Sequence, residues 1–66
     1  MQIYLNGKKI ETDSIMSLSD FLTLKGLEPD RIVVEYNFEI VRKEDRKRIY
    51  LKENDNLEIL RLVGGG

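Results

Sequence analysis

Leu57-Glu58-Ile59-Leu60-Arg61-Leu62-Val63, followed directly by Gly64-Gly65-Gly66, is the last stretch of a 66-residue sequence. Successive side chains of an extended chain point to opposite faces. Leu57, Ile59 and Val63 therefore share one face with Arg61, and Glu58, Leu60 and Leu62 share the other. A strand with apolar residues on both faces belongs inside a sheet rather than at its edge. The three glycines cannot pack and lose more conformational freedom on ordering than any other residue. They are expected to form a flexible arm, 64–66, behind a single domain, 1–63.

A central strand needs neighbours, and the rest of the chain supplies them. Asn6-Gly7 suits a two-residue primed turn, because both residues tolerate positive φ. It divides a first strand, with Ile3 and Leu5 on one face and Gln2 and Tyr4 on the other, from a second that runs from Lys8 to about Thr12 and carries Ile10. Ser17 reads as a helix N-cap with Asp20 at the capping-box position, and Met16 and Phe21 read as a hydrophobic staple. Leu18, Phe21 and Leu22 follow helical spacing, and Gly26 is a left-handed stop with Leu27 placed to touch Leu22. The helix of about nine residues that this predicts is too short to stand alone, so its apolar stripe must lie on the sheet.

Beyond the Glu28-Pro29-Asp30 turn, Ile32, Val34 and Tyr36 share one face of a third strand, with Val33 and Glu35 on the other. Asn37 marks another turn. Phe38 follows it where glycine is expected, and a bulky residue disfavours positive φ, so a longer or shifted turn is anticipated. Ile40 and Val41 start a return strand, and the charged run 42–48 reads as a loop or a single helical turn. Ile49-Tyr50-Leu51 is a short extended piece, and Asn54 is the left-handed residue of the last turn. The expected core is Ile3, Leu5, Leu18, Leu22, Val34, Tyr36, Leu57 and Ile59.

Composition excludes most chemistry. The chain has no cysteine and no histidine, hence no thiol nucleophile, no imidazole base and no nitrogen or sulfur metal ligand. Disulfides are impossible, which favours a cytoplasmic location. A domain this small buries only about 60% of its unfolded surface, too little for a deep substrate cavity. Lysine and arginine number 11 against 12 aspartate and glutamate, a balance that argues against nucleic acid as a general partner. No apolar run approaches the roughly 20 residues of a membrane span, and no amino-terminal targeting segment is visible.

The order strand, strand, helix, strand, strand, short piece, strand fits an α+β, β-grasp (ubiquitin-like) fold: a mixed sheet of four to five strands with one main helix packed on one face. Four stretches make the resemblance specific: 1–7, the run Glu35-Tyr36-Asn37-Phe38-Glu39-Ile40-Val41-Arg42, the turn 52–55 and the ending 58–66. Over essentially its whole length the chain resembles the ThiS-type sulfur carriers of thiamine biosynthesis, within the ThiS/MoaD group of the ubiquitin-like superfamily. It departs from them in having Phe38 for a turn glycine, Asn54 for another, and no proline before Arg42.

The resemblance implies a protein cosubstrate rather than an enzyme, with no cofactor of its own. An E1-like adenylating enzyme of the ThiF type uses ATP and Mg²⁺ to adenylate the Gly66 carboxylate. Sulfur from a persulfide donor displaces AMP, and the Gly66 thiocarboxylate hands its sulfur to a ThiG-type thiazole synthase. The residues agree with this. A carboxylate with a pKa near 3.5 is ionised at neutral pH, an arm of Gly64, Gly65 and Gly66 can thread a narrow slot, and no phosphate-cradling loop is present for self-activation.

The sheet face away from the helix is the expected partner interface, with Tyr4, Val33, Leu60 and Leu62 as exposed neighbours and Arg61 available to an acidic group. Two other readings stay open: a MoaD-like small subunit of molybdopterin synthase, and a β-grasp interaction or RNA-binding module that uses Arg42, Lys43, Arg46, Lys47 and Arg48 with an inert tail.

Overall fold

The structure, a computed structural model, describes residues 1–12 and 15–63. The glycine arm expected at 64–66 lies outside the described residues. Among those described, the chain forms strands β1 (Gln2–Leu5), β2 (Lys8–Glu11), β3 (Ile32–Tyr36), β4 (Glu39–Val41) and β5 (Asn56–Arg61), with one α-helix, α1 (Leu18–Leu24). The strands make a single sheet in the order β2-β1-β5-β3-β4. The last strand is central, parallel to β1 and antiparallel to β3, as its two-sided apolar character requires. This is the mixed β-grasp sheet anticipated above.

The helix starts and stops where its capping residues dictate. The Ser17 hydroxyl accepts the Asp20 N–H at 3.0 Å. At the other end Leu27 N–H donates to Leu22 C=O and Gly26 N–H to Thr23 C=O, with Gly26 at φ 74°. Those two bonds are a Schellman motif, and glycine adopts the left-handed conformation without a Cβ penalty. The stop falls two residues short of the nine anticipated, because Lys25 closes the helix as its C-cap.

Leu18, Phe21 and Leu22 are buried on the sheet with Ile3, Ile32, Val34, Leu51, Leu57 and Ile59. Leu5 and Tyr36, expected in the core, are only half-buried at its margin. Tyr36 keeps its hydroxyl for a polar partner, and Leu5 lies at the end of β1, where its strand turns away. Leu51 enters from the other direction: its N–H donates to Met16 C=O, and Leu18 N–H donates to Ile49 C=O. These bonds seat the 49–51 piece beneath the start of α1.

Both predicted hairpin turns have two residues. Asn6 and Gly7 have φ of 50° and 83°, and Asn37 and Phe38 have 49° and 74°. The Tyr36–Glu39 pairing leaves no room for the longer or shifted turn anticipated at Phe38. The charged run becomes a 3-10 helix, Lys43–Arg48.

Candidate functional site

β5 divides its residues between two faces. Leu57 and Ile59 point to the helix and Glu58 and Leu60 to the open face, and Leu62, just past the end of β5, continues that alternation through its N–H bond to Arg31 C=O. The register places Val33 across from Leu60 and Glu35 across from Glu58, while Tyr4 pairs with Asn56. All four residues expected in the apolar interface therefore lie on the open face, but not as one patch. Tyr4 stands four residues back along β5 from Leu60, about 13 Å at strand rise, with the Glu58–Glu35 row between. Val33, Leu60 and Leu62 form the continuous part. Leu60 and Leu62 are 63% and 56% exposed, and Val33 and Tyr4 are half-buried.

Ile40 adds to that face and was not anticipated there. It sits opposite Glu35 and is largely exposed. Simple alternation reveals it only once the turn before it is known to have two residues.

Arg61 lies elsewhere. Its register partner is Ile32, whose side chain is in the core, so Arg61 projects to the helix side of the sheet. There it lines a cleft of about 270 Å³ with Gly26, Leu27, Glu28, Arg31, Ile32, Leu62 and Val63. Its guanidinium is thus separated by the sheet from Val33 and Leu60. Leu62 N–H donates to Arg31 C=O at 2.8 Å and fastens the chain one residue before Val63, which is 89% exposed.

The basic run does not form a cationic stripe. Arg42 pairs with Glu44 at 2.6 Å, Lys43 with Asp30, and Arg48 with Asp45 at 3.9 Å. The Lys43 ammonium, through its hydrogen bond and its charge, holds the Asp30 carboxyl below its usual range. Glu44 is lowered by a hydrogen bond to its own backbone N–H and by Arg42. Arg46 is buried and donates to the carbonyls of Pro29 and Ile32 at 3.0 and 3.2 Å. Loss of water pushes its pKa down. It pins the segment before β3, a structural duty that its place in a charged run did not reveal.

Where β3 ends and β5 begins, the sheet carries a polar knot. Asp55, buried, accepts the Tyr36 hydroxyl at 2.7 Å, the Asn37 amide at 3.1 Å and the Lys52 N–H at 2.7 Å. Burial first, and then the Asp55 carboxylate, push the Tyr36 hydroxyl up to about 12. Among the described residues no group of three or more Asp or Glu side chains is placed to hold a metal ion. No described helix is long and apolar enough to cross a membrane.

With this geometry in hand, comparison with known proteins is specific. The sequence pattern of the ThiS family matches residues 3–66. The chain belongs to the ThiS family. The sulfur carrier protein ThiS of Bacillus subtilis is 35% identical over 65 residues, which cover 97% of this chain and 98% of that protein. The crystal structure of the thiamine biosynthesis protein ThiS from Geobacter metallireducens superposes over 100% of both chains with a TM-score of 0.85 at 29% identity. A thiazole synthase of Magnetococcus marinus is 30% identical over 66 residues. This chain spans a fifth of that protein's length, so the ThiS-like stretch there is one part of a larger protein.

Proposed function

We propose that this chain carries sulfur for thiazole formation in thiamine biosynthesis, as a cosubstrate whose Gly66 carboxylate is activated by other proteins. The observation that carries the proposal is the end-to-end likeness to a sulfur carrier, since the family match runs through the glycines to residue 66.

An E1-like enzyme binds the open sheet face and receives Gly64, Gly65 and Gly66 in its ATP site. The carboxylate oxygen attacks the α-phosphorus of ATP, pyrophosphate leaves, and the acyl adenylate forms; the partner supplies the Mg²⁺. The outer sulfur of a persulfide donor then attacks the acyl carbonyl and displaces AMP, leaving an acyl disulfide. A second thiol of the partner cleaves its S–S bond, forming a disulfide and releasing the Gly66 thiocarboxylate. The thiocarboxylate is a better nucleophile than the carboxylate and passes its sulfur to thiazole synthase, in the cytoplasm. The likeness to a stretch of a thiazole synthase supports that enzyme as the receiving partner. Val33, Leu60 and Leu62 are the apolar contacts on this chain, with Tyr4 at the far end of the same face. Arg61 serves an acidic group that reaches round the sheet edge into the 270 Å³ cleft.

The test is delivery. The chain, first loaded with labelled sulfur by an E1-like enzyme, is mixed with thiazole synthase and that enzyme's other substrates. Label is expected in the thiazole product. Label that stays on the carrier contradicts the thiamine assignment.

A further inference from the structure

β5 outlasts its neighbour. β1 ends at Leu5, opposite Leu57, whereas β5 continues to Arg61. Alternate residues of β5 turn their backbone groups to opposite neighbours. Asn56 C=O accepts from Asn37 on the β3 side, and Leu57 C=O accepts from Asn6 N–H on the β1 side. Ile59 faces the β1 side too, beyond the last residue of β1. Its two backbone groups are nevertheless both engaged: the Asn6 side-chain Oδ1 accepts the Ile59 N–H at 2.7 Å, and Nδ2 donates to the Ile59 C=O at 3.3 Å.

The primary amide of asparagine offers a donor and an acceptor, as a peptide group does. With φ at 50°, the Asn6 backbone bends away into the turn toward β2 while its side chain stands in for a further residue of β1. On the other side Leu62 N–H is held by Arg31 C=O. β5 is therefore fastened on its β1 side as far as Ile59 and on its β3 side as far as Leu62, the residue before Val63.

We propose that Asn6 is a positioning residue, whose amide clamps Ile59 and so fixes the point from which the end of the chain leaves the sheet toward an activating enzyme. The inference rests on Gly66 being the group that is activated. The four residues from Val63 to Gly66 reach at most about 14 Å from that point. If β5 frays back to Ile59, the origin wanders and the effective concentration of the terminal carboxylate at the reacting phosphorus falls. The docking face is untouched, so the loss appears in turnover within the bound complex rather than in affinity. Glycine and aspartate both tolerate the left-handed turn. Glycine lacks the clamp, and aspartate keeps the acceptor but sets a carboxylate oxygen against the Ile59 C=O.

The experiment compares wild type, Asn6→Gly and Asn6→Asp as substrates of a ThiF-type activating enzyme, reading pyrophosphate release across carrier concentrations. Backbone amide exchange at Ile59 is followed in parallel. For both variants the expected result is faster exchange at Ile59 and kcat lower by about tenfold with KM changed less than about twofold. Unchanged kcat at saturation in either folded variant overturns the proposal, even if exchange is faster, because the clamp is then structural only. Unchanged exchange at Ile59 also overturns it. A wild-type chain that elicits no pyrophosphate release contradicts the proposed function itself, and this inference falls with it.

Discussion

Phe38 holds a left-handed φ of 74° with its ring 79% exposed to solvent. For a residue with a Cβ that conformation costs about 1–2 kcal/mol, and an exposed ring recovers little of it by packing. What holds it there is its neighbour. Asn37 N–H donates to Asn56 C=O, its Oδ1 accepts the Asn56 N–H, and its Nδ2 donates to Asp55. Those bonds join residues 18 and 19 apart in sequence, so no local reading of Asn37-Phe38 could weigh them, and a longer turn was the natural expectation. Asn6, Gly26 and Asn54 were legible because a left-handed site filled by Gly or Asn carries its own signal. Phe38→Gly is expected to raise stability by about 1 kcal/mol, seen in urea as a higher midpoint at unchanged slope. A lower midpoint would show that the ring makes stabilising contacts in the fold.

At the scale of elements, the helix was readable and the polar fastenings between strands were not. Ser17, the apolar stripe and Gly26 lie within a few residues of one another and state both ends of α1. The final strand announced its central place by its composition, although only one of its faces is buried in the isolated chain. Arg46 and Asp55 gave no such notice: each looks like a surface charge, and each is buried by carbonyls, hydroxyls or amides brought from distant elements. The Tyr36–Asp55 bond ties the β3–β4 hairpin to the loop that leads into β5, and it gives that tie a pH dependence. The Tyr36 hydroxyl rises from its ordinary 10 to about 12 on folding. The fold thus favours the protonated form, and that contribution is complete below pH 10 and fades as pH climbs through 12. Denaturation midpoints taken across this window should fall for wild type and flatten for Tyr36→Phe, which at neutral pH should cost about 1 kcal/mol. An identical alkaline decline in both proteins would show that the hydroxyl is not held by Asp55.

The whole molecule is a small sheet with one face covered by a helix and the other open. Its class was visible in the order of elements and in the pairing of an apolar central strand with three glycines. How the expected contact residues are shared out was not. Alternation gave Tyr4, Val33, Leu60 and Leu62 a common face, but only the strand register separates Tyr4 from the rest and adds Ile40. Arg61 sits on the helix side because β5 keeps strict alternation to its end, opposite Ile32. On the function proposed, a chain with no thiol and no imidazole works by presenting one end group to other proteins' sites.

The most direct test of that claim weighs the intact chain after incubation with an E1-like activating enzyme, ATP, Mg²⁺ and a persulfide source, beside a chain lacking Gly65 and Gly66. The account predicts that the full chain gains the mass difference between one sulfur and one oxygen, localised to Gly66, while the shortened chain folds and stays unmodified. An unchanged full chain, or sulfur gained equally by the shortened one, would contradict it.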